Sequence, residues 1–159
     1  ILADNTVEEL KHIHAVYDLA KEQGDITDSS YEALEKRWKD ENAERSEKVE
    51  KGEVIYGLKE YTFQLYLDYE ISTLKEKYCN DTNREGMKLT EDEIQEHYQS
   101  REWIFGDSDE NADLEMARIA VERELREQKY DDMITQRETG SQVAGNMENV
   151  NRITLKNIQ

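Results

Sequence analysis

Proline is absent from this 159-residue chain, and cysteine occurs once. The lack of proline leaves long helices unbroken, because its ring removes an amide donor and collides with the preceding helical turn. A single cysteine excludes an internal disulfide. Cys79 reads as a buried helical thiol, with a reactive thiol as the alternative. Glycine is scarce at seven residues, and no apolar run approaches the ~20 residues needed to span a bilayer. Positive charge is also short: 21 Lys and Arg stand against 38 Asp and Glu, giving a net charge of -17. That balance disfavours nucleic acid, whose binding relies on Lys and Arg neutralising phosphates. It disfavours an anionic membrane surface for the same reason. No signal-peptide pattern is seen. The chain opens on Ile1 rather than Met, so it reads as a processed form, compatible with a leader removed upstream.

Charged residues make up 37% of the chain and mean hydropathy is -1.01, values that suggest disorder when nothing opposes them. Two tryptophans, nine tyrosines and helical periodicity oppose them here. One ordinary domain is expected, large enough to bury a core without staples.

The spacing predicts a first helix over about Thr6 to Gln23, with a capping box at Thr6 and Glu9 and Gly24 as its stop. A second starts near Ser29, with Glu32 in box spacing, and its apolar face carries Tyr31, Leu34 and Trp38. Its continuation, 39–51, is almost wholly polar and reads as a projecting arm ending at Gly52. Val54 to Tyr56 read as a short extended piece before a turn at Gly57. Helix is expected from Leu58 to Tyr78, with an apolar surface wide enough for a helix surrounded by others. A fourth helix is capped by Thr90 and Glu93, and a fifth runs from about Asn111 to Glu138, before Gly140. Alternation at Ile153, Leu155 and Ile158 suggests a strand that could pair with Val54 to Tyr56. The fold class is therefore mainly α: a bundle of long helices with room for one two-stranded β element.

Catalytic patterns are missing. There is no G-x-S-x-G, no phosphate-binding glycine loop, and no base beside the thiol. His12, His14 and His97 lack the spacing of a helical zinc site. Asp107, Asp109, Asn111 and Asp113 alternate like the start of a calcium loop. Ala112 and Arg118 then stand where such a loop needs glycine and glutamate, and acids complementing a helix dipole are the competing account. Asn80-Asp81-Thr82 fits a glycosylation triplet, a pattern common by chance. No cofactor is expected.

Four segments resemble a known family. They are ENAERSEKVEKGEVIYG (41–57), YTFQLYLDYEISTLKEKY (61–78), KLTEDEIQEHYQSREWIF (88–105) and VERELREQKYDDMI (121–134). Leu89, Thr90, Glu93, Ile94, Tyr98 and Phe105, with Leu125, Lys129, Tyr130, Met133 and Ile134, fall on the patterns of the chaperone domain of SurA- and PrsA-type extracytoplasmic foldases. The resemblance covers about residues 50 to 140. The stretch from Phe105 to Asn111 leaves no room for the parvulin domain many members insert there, so no prolyl isomerase activity is expected. The resemblance implies a non-enzymatic chaperone module that binds unfolded or extended polypeptides outside the cytoplasm, held at a membrane only by an anchor upstream. Its groove would draw on Tyr56, Tyr61, Phe63, Tyr66, Tyr69, Trp103 and Phe105. A module that binds one folded partner through the 39–51 arm is the alternative, and an acidic calcium-binding protein a further one. A homodimer stays open.

Overall fold

The computed structural model describes residues 2–140, with side chains from residue 6. Five helices follow one another: α1 (Leu2–Glu22), α2 (Tyr31–Glu50), α3 (Phe63–Asn80), α4 (Glu91–Gln99) and α5 (Leu114–Gly140). The fold is mainly helical, as the periodicity predicts, and holds no strand among the described residues. The described residues divide into two compact units, one built from residues 2–71 and 134–140 and the other from 72–133.

In the first unit, Ala15, Val16, Tyr17, Leu19 and Ala20 of α1 are buried, with Leu34 of α2, Tyr66 and Leu67 of α3 and Ile134 of α5. Two glycines end α1 and α2 by the same device. Gly24 and Gly52 both have positive φ, at 75° and 72°. The next amide reaches back five residues, from Asp25 to Ala20 O at 2.8 Å and from Glu53 to Lys48 O at 2.9 Å. Only glycine takes this backbone without strain, and the motif satisfies carbonyls that a helix end leaves open.

The helix starts depart from expectation in informative ways. α1 already includes Leu2, so Thr6 lies inside the helix and does not cap it. Ser30 caps α2 in place of Ser29, accepting a hydrogen bond from Ala33 N at 3.2 Å. α3 begins at Phe63 and not Leu58, because Gly57 turns at φ 80° and the backbone through Tyr61 is held by α2 side chains. Thr62 then takes the capping role, its hydroxyl accepting from Leu65 N at 3.3 Å.

Val54 to Tyr56 form no strand. The carbonyl of Tyr56 is taken by Arg45 Nη1 at 2.9 Å, a side-chain donor in place of a ladder partner. The expected strand at 153–158 lies outside the described residues.

In the second unit, Ile94, Trp103, Ala112, Ala117 and Val121 form one buried cluster, lined by Leu89, Tyr98, Leu114 and Ala120. The capping box of α4 is present in full, with Glu93 N donating to Thr90 Oγ1 at 3.3 Å and Thr90 N to Glu93 Oε2 at 2.8 Å. Trp103 anchors the irregular stretch between α4 and α5. Its ring nitrogen donates to Tyr98 O at 3.0 Å, and its carbonyl accepts from Ala112 N at 2.7 Å. Asp113 caps α5, accepting from Met116 N at 2.9 Å.

Candidate interaction surface

A buried carboxylate organises the first unit. Glu70 on α3 is 8% exposed, in a core otherwise apolar. Burying a charge is costly unless it is paired and hydrogen-bonded, and Glu70 is both. Tyr17 of α1 donates to Oε2 at 2.5 Å. Tyr66, one turn earlier on α3, donates to Oε1 at 3.0 Å. Arg37 of α2 closes a fork on the two oxygens at 2.6 and 3.1 Å, and also donates to Asp28 O at 3.0 Å. Three helices thus meet on one side chain. Burial first, and then the neighbouring Glu70, push the hydroxyl pKa values of Tyr17 and Tyr66 far above the usual tyrosine range.

Residues 53–62 form a strap laid along α2. Trp38 Nε1 and Asn42 Nδ2 donate to Tyr61 O at 2.7 and 2.9 Å, and Tyr61 N donates to Asn42 Oδ1 at 2.8 Å. Arg45 Nη1 donates to the carbonyls of Tyr56 and Leu58, both at 2.9 Å. Its guanidinium also sits 4.6 Å from the centre of the Tyr61 ring. The polar continuation of α2 therefore serves as the strap's anchor, using the side chains that made it look like a free arm.

The strap's backbone is held against α2, while Val54 and Tyr56 face solvent. Val54 is 78% exposed and Tyr56 87%. Together with Ile55 and Tyr69 they border an open cleft of about 350 Å³ whose α2 side carries Glu41, Glu44, Arg45 and Lys48. Those charges pair among themselves, Arg45 with Glu41 at 2.8 Å and Lys48 with Glu44 at 2.5 Å. Tyr69 stacks on Tyr61 with ring centres 5.2 Å apart and stays 40% exposed.

The seven rings expected to line a groove differ in burial. Tyr66 is core, pinned to Glu70. Phe63 is half-buried between Tyr31 and Trp38, with ring centres 5.6 and 5.5 Å away. Tyr61 is half-buried under Arg45. Tyr56 and Tyr69 are exposed. α3 is thus not enclosed all round, and Leu65 joins Tyr69 on its open side. Trp103 and Phe105 belong to the second unit, where Trp103 is buried and Phe105 exposed. Phe105 borders a shallow apolar depression of about 270 Å³ with Met116, Ile119, Ala120 and Arg123. The pattern along α5 sets Ile119 with Leu114, Leu125, Met133 and Ile134 as apolar positions, but Ile119 is exposed, as is Met116, which lies outside that set.

Of the calcium candidates, Asn111 accepts from Trp103 N at 2.5 Å and Asp113 caps α5, so both have structural work. No group of three or more potential metal ligands occurs among the described residues. Burial pushes the Cys79 thiol up to about 11, against the reactive reading.

No family model matches this chain. Its sequence is similar to the chaperone for lacto-N-biosidase of Bifidobacterium longum subsp. longum, with 31% identity over 136 residues, 86% of this chain and 49% of that protein. The chain spans about half the length of that chaperone. Its fold is similar to part of a GH136 lacto-N-biosidase from Eubacterium ramulus, at a TM-score of 0.69 and 19% identity, over 89% of this chain and 28% of that one. At that identity the likeness is one of fold. Neither is a foldase of the SurA or PrsA type: what the comparisons share with that resemblance is the word chaperone.

Proposed function

We propose that this chain is the helical module of a dedicated, non-catalytic chaperone that engages one partner enzyme, a glycosidase of the lacto-N-biosidase kind. The observation that carries this reading is the similarity, over 86% of the chain, to a chaperone for that enzyme. Two others agree with it. A similar fold forms part of a lacto-N-biosidase chain, so such a module is compatible with lasting contact to a glycosidase. The residues also lack the patterns that hydrolysis, phosphoryl transfer or metal chemistry would require. The alternative set out above, one specific partner, is therefore preferred to general binding of unfolded polypeptides.

The test is co-expression of a lacto-N-biosidase with and without the full-length protein. Soluble, active enzyme should rise several-fold in its presence. Aggregation of unrelated clients, such as reduced lysozyme or heated citrate synthase, should be unaffected. Protection of those clients without benefit to the glycosidase would reverse the preference.

A further inference from the structure

Four side chains of α2 line one side of the cleft beside the strap: Glu41, Glu44, Arg45 and Lys48. Offsets of three, four and seven residues put them on one face of the helix. Two are acidic and two basic, and they pair. Arg45 Nε lies 2.8 Å from Glu41 Oε1, and Lys48 Nζ 2.5 Å from Glu44 Oε1. The bond between Glu44 and Lys48 lowers the pKa of the first and raises that of the second, so both stay charged near neutrality. This side of the cleft is therefore dense in donors and acceptors, yet its charges cancel.

Rings border the rest. Tyr69 of α3 is stacked on Tyr61, with ring centres 5.2 Å apart and planes 17° from parallel, and it remains 40% exposed. Tyr61 is itself fixed. Its backbone makes three hydrogen bonds to Trp38 and Asn42, and the Arg45 guanidinium sits 4.6 Å from its ring centre. Tyr69 is thus a seated platform. Tyr56, 87% exposed, borders the same cleft from the strap.

This combination narrows the occupant. An anionic ligand needs a cation to neutralise, and both cations here already hold a carboxylate. A cationic ligand meets the same obstacle in reverse. A peptide added edge-on as a strand needs open carbonyls, and those of Tyr56, Leu58 and Tyr61 already accept from Arg45, Trp38 and Asn42. A wholly apolar ligand would desolvate charged groups and give them no bonds in return. What fits is a neutral molecule whose hydroxyls both donate and accept, and which has an apolar face to lay on a ring.

We propose that this cleft binds a neutral saccharide. Its hydroxyls bridge the Glu41–Arg45 and Glu44–Lys48 pairs, the C–H face of one sugar ring lies on Tyr69, and Tyr56 stands at the rim. The volume of about 350 Å³ is near the small end of the roughly 300–1,000 Å³ of small-molecule sites, which limits the ligand to a short saccharide. The proposal goes beyond the chaperone reading and does not depend on it.

The experiment titrates the full-length protein with four disaccharides, followed by chemical-shift changes and saturation transfer in NMR. Lactose and N,N′-diacetylchitobiose are neutral, deacetylated chitobiose is cationic and hyaluronan disaccharide is anionic. The neutral pair should bind with a Kd on the order of a millimolar, and the charged pair more weakly. Tyr69→Ala should weaken the neutral sugars by about 10-fold or more, and Tyr56→Ala by several-fold. Tyr56→Ala should match the wild type in circular dichroism and melting, since its ring is exposed, and so keeps the test sound if Tyr69→Ala disturbs the strap. Glu44→Gln leaves Lys48 unpaired and should shift preference several-fold toward the anion. Lys48→Met leaves Glu44 unpaired and should shift it toward the cation. Absence of binding by both neutral sugars up to about ten times a millimolar Kd overturns the proposal. So does a wild-type preference for a charged sugar, or binding that both ring variants leave unchanged. If the sugars fail while the ring variants weaken capture of a purified lacto-N-biosidase, the cleft is a protein-docking surface. The saccharide site is then refuted while the chaperone reading stands.

Discussion

Replacing Glu70 by leucine removes at once the acceptor shared by Tyr17, Tyr66 and Arg37. Two buried hydroxyls and one half-buried guanidinium are then left to find partners. Each orphaned hydroxyl costs about 1–3 kcal/mol. Breaking a buried ion pair by deleting one partner costs about 3–5 kcal/mol. These terms overlap, because all belong to one network, so about 3–5 kcal/mol is the expected total and not their sum. For a domain of this size about 1 kcal/mol moves the melting temperature by roughly 2–4 °C, so Glu70→Leu should melt roughly 6–20 °C lower. Differential scanning calorimetry measures this directly. A second variant separates the network from simple loss of packing. Combining Glu70→Leu with Tyr17→Phe, Tyr66→Phe and Arg37→Met removes donors together with the acceptor, and should recover much of the loss. The reasoning is refuted if Glu70→Leu alone melts within about 2 °C of the wild type, or if the combined variant is worse than the single one.

The two tyrosines also give an alkaline signature. Because their folded pKa values lie above the unfolded value near 10.0, their contribution is complete below that value and is lost as pH rises beyond it. In an absorbance titration at 295 nm, at least two of the nine tyrosines should therefore resist ionisation until the protein unfolds. The opposite sign applies to Glu93, which its bond to Lys129, and then Thr90, hold down to about 2. Its contribution is present above the ordinary 4.5 and fades as pH falls toward 2. The stability gap between wild type and Glu93→Gln, followed by urea unfolding, should close over that range. Thr90→Ala should cost about 1 kcal/mol in the same assay, the usual loss of a capping hydroxyl. Trp103→Ala should cost about 3–5 kcal/mol, because it empties the centre of the second unit's buried cluster.

What could be read in advance was local. The α4 capping box is legible because both partners lie three residues apart and answer to each other alone. Gly24 and Gly52 are legible as stops for the same reason. The failures have a common cause. Val54 to Tyr56 look like a strand because alternation is all a short extended run displays, whichever donor meets its carbonyls. Residues 39–51 look unattached because Asn42 and Arg45 are polar, and polar side chains that clamp a backbone read no differently from solvated ones. The ring-rich stretch could be recognised as important, but not sorted. Tyr66 and Tyr69 lie three residues apart on one helix, and one is core while the other is exposed.

Composition and periodicity by themselves determined an acidic, mainly helical chain with no internal disulfide, because helix propensity, capping and charge balance are properties of neighbouring residues. Which side chains meet was decided only in three dimensions. Glu70 gathers partners 33 and 53 residues away, and Arg45 reaches carbonyls 11 and 13 residues on. Interactions at that separation arise from how helices pack and not from any pattern along the chain. They also settle which rings are sealed and which are exposed.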